Sequence, residues 1–213
     1  MENLEFQRKI TRLILSKIDE YGFVLCGSGA LREHGIITRP TEDIDLFTVQ
    51  KHADTFPLAY QKVVETRIEH GFKIATTHAS SQYANLVISD GDNVLSIDMG
   101  VDWRGFPPAT LNIGPVLAEE DAAGSKVAAL YSRAEPRDYL DVDSLRRSGR
   151  YTDDQLIALA KESDRRFDMG FFIQRLEACA YVDFDEVAQY GISEEEFRAI
   201  QERYAQWHTS LNR

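Results

Sequence analysis

Between residues 23 and 49 the order of segments restricts the fold more than any other stretch of the chain. FVLC (23–26) is a continuous apolar run of the kind that forms a buried strand. GSG (27–29) interrupts it, and ALREHG (30–35) predicts a short helix closed by Gly35. After the turn-like TRPTE comes DIDLFTV (43–49), in which polar and apolar residues alternate. Alternation along a strand sends neighbouring side chains to opposite faces, so Asp43, Asp45 and Phe47 share one face while Ile44 and Leu46 share the other. A strand, a glycine turn, a short helix and a second strand bearing paired aspartates open an α/β unit.

The flanking sequence extends this pattern. Residues 3–20 place Leu4, Ile10, Leu13, Ile14 and Ile18 at helical spacing, with Gly22 as the stop. Residues 57–70 suit a helix with Pro57 in its first turn. Strands are expected at 72–78, 84–89 and 93–99, the last two joined through SDGDN as a hairpin. From Glu119 the periodicity turns helical, with breaks near Pro136, Gly149–Thr152, Gly170 and Tyr190–Ser193. Phe167, Phe171 and Phe172 recur at helical spacing and read as core. The chain is therefore expected to have an α/β half, 1–118, with a mixed sheet flanked by helices, and an all-helical half, 119–213.

Composition narrows the class. The chain carries 24 Lys and Arg against 35 Asp and Glu, a net charge of −11. Such a balance argues against non-specific coating of nucleic acid, although it leaves room for a local basic site. No apolar run approaches the ~20 residues that span a bilayer. The N-terminus interleaves charged and apolar residues, unlike a secretory signal. Cys26 and Cys179 lie in apolar segments without metal-ligand spacing. These features predict a reduced, cytoplasmic protein without structural zinc and with no membrane partner.

The chemistry-bearing residues follow one another in order. A Gly27-Ser28 turn from strand to helix presents backbone N–H groups and a hydroxyl to an anion. Asp43 and Asp45, on one strand face, suit a hard cation such as Mg²⁺. A carboxylate from an adjacent strand, Asp98, would hold a second metal or deprotonate an attacking hydroxyl. Taken singly, GSG is a turn, DxD is a solvated strand face, and Asp92 or Asp102 could serve as well as Asp98. Their combination in this order favours a functional site.

GSGALREHGIITRPTEDIDLFT resembles the opening motif of the DNA polymerase β-like nucleotidyltransferase superfamily, hG[GS] followed by DhDhh. More narrowly it resembles the AbiEii/AbiGii family of nucleotidyltransferase toxins, which includes the MenT-type toxins. The likeness rests on Gly27, Ser28, Ala30, Leu31, His34, Gly35, Arg39, Thr41, Asp43, Ile44, Asp45 and Leu46. Many of those toxins have two glycines where this chain has Gly27-Ser28. A second block, KVAALYSRAEPRDYLDVDSL (126–145), resembles a later tract of the same family through Lys126, Ala129, Leu130, Arg133, Arg137, Asp138, Asp141 and Leu145. The resemblance implies a nucleotidyltransferase fold whose helical half completes the active site and binds the acceptor.

It also implies roles for individual residues. Gly27 and Ser28 would hold phosphates, Asp43, Asp45 and Asp98 would hold Mg²⁺ (two ions, with Mn²⁺ as a substitute), and Lys126 would neutralise the triphosphate. Arg137, Asp138 and Asp141 would assist at the nucleotide. Arg39 and Thr41 either contact phosphate or fix their loop. From the residues themselves, Lys126 and Arg133 share a helix face, Pro136 opens the next helix, and Asp138, Asp141 and Leu145 share a face of that one. An alternative is an ion-paired helix hairpin in which Asp138 or Asp141 orients Arg133 or Arg137. His34 reads as a packing or hydrogen-bonding residue. The implied reaction moves a nucleoside monophosphate from an NTP to a hydroxyl, with the tRNA 3′ end as acceptor. That would make the chain the toxin of a toxin–antitoxin pair with a cognate antitoxin, in phage defence. A small-molecule (aminoglycoside-like) nucleotidyltransferase, an enzyme modifying another protein, and a silent partner-binding module are the other readings.

Overall fold

The computed structural model describes residues 2–212, the side chains of residues 2, 3 and 67–69 excepted. The chain forms two compact units, Met1–His34 with Pro40–Ala122, and Gly35–Arg39 with Ala123–Arg213.

The first unit is built on a mixed sheet of seven strands in the order β3-β4-β5-β2-β1-β7-β6. The strands are β1 (Val24–Leu25), β2 (Asp43–Thr48), β3 (Lys73–Ala79), β4 (Tyr83–Ser89), β5 (Val94–Val101), β6 (Ala109–Leu111) and β7 (Gly114–Val116). β2 runs parallel to β5 and β1 parallel to β7, and the other pairs are antiparallel. Register explains the two faces. Ile44 pairs with Ile97, Leu46 with Met99, Leu86 with Ile97 and Ile88 with Leu95, so one face is a continuous buried apolar layer. Helices α1 (Glu2–Lys17) and α3 (Phe56–His70) supply Ile10, Ile14, Ala59 and Val63 to the same core. The alternate residues of β2, β4 and β5 lie on the other face, where Asp43 and Asp45 of β2, Asn85 of β4 and Ser96 and Asp98 of β5 are polar and half-buried.

Two local expectations change. The GSG tract is the first turn of α2 (Gly27–Glu33) rather than a turn before it. Strands β6 and β7 were not expected, because three residues each are too few to show a period and Pro115 lies in one of them.

The second unit is helical. α4 (Glu119–Ser132) carries the chain into it, followed by α5 (Pro136–Arg147), α6 (Asp153–Ser163), α7 (Met169–Ala178), α8 (Phe184–Ala188) and α9 (Glu194–Leu211). Pro136 opens α5 behind a Glu135–Asp138 capping box, and Thr152 with Gln155 caps α6 in the same way. The break expected near Gly170 lies at Asp164–Asp168, where Asp168 caps α7 by accepting from the Phe171 amide. Tyr139, Phe172, Tyr204 and Trp207 form the core through edge-to-face contacts. Of the three phenylalanines expected there, only Phe172 is fully buried. Phe171 is exposed and Phe167 half-buried, both against Tyr131. No helix among the described residues is long and apolar enough to cross a membrane.

Candidate active site

The polar face of the sheet gathers acids. Asp45 on β2 stands opposite Asp98 on β5, and Asp43 lies two residues back along β2. One carboxylate oxygen from each of Asp43, Asp45 and Asp98 lies within 4.8 Å of the others, and all three residues are half-buried. Three like charges so close repel one another unless a cation sits among them. All three donors are hard oxygens, the set that suits Mg²⁺ or Mn²⁺.

The backbone around the triad is pinned. The Cys26 amide donates to the Asp45 carbonyl at 2.8 Å, and the Gln7 side-chain amide donates to the Asp43 carbonyl at 2.7 Å. Gly27 has φ +58°, and a Cβ built on it would lie 1.8 Å from Asp45 Oδ2. Only glycine therefore lets the turn approach this carboxylate. Ser28 follows it and is buried. The Thr41 hydroxyl accepts from Arg32 Nη1 at 2.6 Å and donates to Gln7 Oε1 at 3.1 Å. His34 is hydrogen-bonded to the Leu117 carbonyl at 2.8 Å.

On the other side of Asp98 lies a group of partners that the sequence did not disclose. His78, Asn85, Asp98 and Asp45 form one row across β3, β4, β5 and β2. Asn85 Nδ2 donates to Asp98 Oδ1 at 3.0 Å, and the Tyr83 hydroxyl donates to the same oxygen. Hydrogen bonding to Asp98, with burial adding, pushes the Tyr83 hydroxyl up to about 12, so it stays a donor at neutral pH. The Asn85 amide is oriented by Thr77, which donates to its side-chain oxygen. Thr77 is the extra residue of a bulge between Thr76 and His78, the device that turns its hydroxyl toward β4. The only sequence signal for these residues is Tyr83-x-Asn85, two polar-capable side chains at strand spacing beside Asp98.

The second unit holds the remaining expected residues. Asp141 is fully buried and receives Arg39 Nε and Nη2 at 2.6 and 2.7 Å, with Lys126 Nζ at 2.9 Å. Asp138, also fully buried, is gripped by Arg133 at 2.8 and 2.9 Å and has Lys126 at 4.0 Å. Arg137 turns to Glu135 at 2.9 Å. Arg39 lies over the Tyr190 ring at 5.1 Å. The ion pairs of this hairpin thus include Asp138 with Arg133, and Asp141 with Arg39 and Lys126. A separate cleft of about 910 Å³ is lined by Phe23, Val49, His52, Trp103 and Arg104 among others, and of the carboxylates weighed from the sequence it holds Asp102.

Solved structures share this fold. JHP933 from Helicobacter pylori is 17% identical, with a TM-score of 0.53 over 100% of this chain and 97% of that one. MenT4, a nucleotidyltransferase toxin from Mycobacterium tuberculosis, is 17% identical, with a TM-score of 0.62 over 95% of this chain and 82% of that one. The antibiotic-resistance factor ANT(2'')-Ia, also 17% identical, matches with a TM-score of 0.52 over 76% of this chain and 93% of that one. No curated protein sequence matches the chain. The family model for the nucleotidyl transferase AbiEii toxin of type IV toxin–antitoxin systems matches residues 12–211. With that match over nearly its whole length, the chain belongs to the AbiEii nucleotidyltransferase toxin family.

Proposed function

We propose that the chain transfers a nucleoside monophosphate from an NTP to the hydroxyl at a tRNA 3′ end and releases pyrophosphate, acting as a toxin held in check by a cognate antitoxin. The observation that carries this reading is the carboxylate triad Asp43, Asp45 and Asp98 on two adjacent parallel strands, with Gly27 against Asp45. Asp43, Asp45 and Asp98 would hold Mg²⁺, two ions in the full site, and Mn²⁺ fits the same donors. When bound, the metal supplies charge neutralisation at the α-phosphate.

The chain's own groups do the rest. Ser28 and the Gly27 turn face the terminal phosphates, and the glycine allows their close approach. The acceptor oxygen bonds to the α-phosphorus as the bond to the bridging oxygen of the β-phosphate breaks. Pyrophosphate leaves, and the acceptor's proton passes to Asp98. Lys126 contributes positive charge toward the triphosphate, while Asp141 and Arg39 position it and Arg137 and Asp138 steady the adjoining turn. In-line placement and charge neutralisation carry most of the rate in such reactions.

The test is transfer of label from each NTP in turn onto total tRNA, with Asp43→Ala and Asp45→Ala alongside. Label at tRNA 3′ ends that vanishes in both variants supports the reading, and absence of label on RNA overturns it. The fold shared with ANT(2'')-Ia favours a second reading, a small-molecule hydroxyl as acceptor, and the same assay with aminoglycosides in place of tRNA measures it.

A further inference from the structure

The hairpin beside Asp98 has a surface unlike the rest of the chain. From His70 to Ser89 there is no Asp or Glu, although about one residue in six of the whole sequence is acidic. No other acid-free run in the chain is as long. This stretch forms β3 and β4, and residues 75–83 are all exposed. In a chain of net charge −11 it is the part of the catalytic face that repels a polyanion least, and it carries Lys73 and His78.

Two exposed rings stand on it. His78 and Tyr83 face each other with centroids 5.8 Å apart and planes at 45°. A Cβ on Gly100, opposite Tyr83, would press on the Phe47 ring at 3.1 Å and make ordinary contact with Tyr83 at 3.6 Å. The same Tyr83 hydroxyl is bonded to Asp98, and Asn85 beneath it holds the same carboxylate oxygen. One tyrosine thus joins an exposed aromatic surface to the third carboxylate of the triad.

We propose that the Tyr83–His78 pair docks the terminal nucleoside of the acceptor RNA, its base stacked on the rings, while the Tyr83 hydroxyl sets Asp98 toward the acceptor's hydroxyl. This inference rests on the RNA-transfer reading above. Every base has a π-face, so such a platform accepts a strand end with little sequence preference. Tyr83 then has two separable duties, a ring that binds and a hydroxyl that positions.

The test uses the whole protein and its variants Tyr83→Phe, Tyr83→Ala and His78→Ala. Binding of a labelled single-stranded RNA with a tRNA-like 3′ end is read by fluorescence anisotropy without NTP, and kcat and KM are read for RNA and NTP separately. Tyr83→Ala and His78→Ala should weaken RNA binding and raise the RNA KM by about tenfold, with the NTP KM unchanged. Tyr83→Phe should keep RNA affinity within about twofold and lower kcat by about tenfold. Should Tyr83→Ala fail to fold, His78→Ala and Tyr83→Phe still separate binding from positioning. RNA affinity and RNA KM unaltered in His78→Ala and Tyr83→Ala would overturn the docking. Wild-type protein that transfers to no RNA overturns the proposed function instead, and the anisotropy arm still reads the docking.

Discussion

Arg39 grips both oxygens of Asp141 from 102 residues away in the chain, and Lys126 shares one of them. All three side chains are nearly inaccessible to water. Breaking such a group from the anion side leaves two buried cations facing each other. Asp141→Ala is therefore expected to lower stability by about 3–5 kcal/mol, measured by urea unfolding. Lys126→Met leaves the Arg39 fork on Asp141 intact, so it should cost far less stability while reducing transfer. A Lys126→Met protein as unstable as Asp141→Ala, or one with full activity, would count against the division of roles proposed here.

The same cluster gives a pH dependence with a definite sign. Burial pushes the Asp141 carboxyl up, but Lys126 and Arg39 outweigh it and hold it below the ordinary carboxylate value. A group whose folded pKa is depressed stabilises the fold above its unfolded pKa, about 3.9. That contribution is lost as pH falls through the folded value. Wild-type stability from this residue should thus be complete at pH 5 and above and decline below about pH 4. Asp141→Asn should show a shallower acid decline than the wild type, read as unfolding midpoint against pH. Equal slopes below pH 4 would mean that other carboxylates carry the acid sensitivity.

Gly124 lies on α4 where α6 passes closely. A Cβ there would meet the Leu159 carbonyl oxygen at 2.6 Å, and a backbone atom cannot swing aside. Gly124→Ala would raise the helix propensity of α4, yet the clash should dominate and cost about 1–3 kcal/mol. Thermal unfolding of this variant should show a lowered midpoint; a raised one would show that the two helices part without penalty.

Sequence reasoning reached the acidic face of the sheet because its signals are local. Asp43-x-Asp45 with Ile44 and Leu46 between them states which face of β2 is wet, and the burial of that strand alternates accordingly. Placing Asp98 needed only that a later strand run beside β2. What escaped were relationships fixed by register. Nothing local says that Asn85 stands opposite Asp98, or that a bulge turns Thr77 onto Asn85, because a shift of one residue would invert every such neighbour. Asp141 shows the same limit: its helix face was legible, whereas its partner Arg39 lies in a distant loop. Gly170 marked the break to within two residues, and it sits in the first turn of α7 behind the Asp168 cap.

Gly27 offers the sharpest test of how the glycine turn serves the triad. Its φ of +58° is strained for any other L residue by about 1–2 kcal/mol, which an unfolding experiment would register. The larger effect falls on Asp45, because a Cβ only 1.8 Å from Oδ2 forces that carboxylate to turn away. Gly27→Ala should therefore weaken Mn²⁺ binding, followed by calorimetric titration, by about tenfold or more, as one of three carboxylate ligands is displaced. Transfer activity should fall by about two orders of magnitude or more, the scale for losing one charge-stabilising group. Gly29→Ala is the matched control. Its Cβ would press on Leu25 at 3.0 Å, an apolar contact away from the acids. That variant should lose stability to a similar degree yet bind Mn²⁺ as the wild type does. Equal metal affinity in Gly27→Ala and Gly29→Ala would mean that Asp45 finds its place without the glycine, and that the turn acts on phosphate alone.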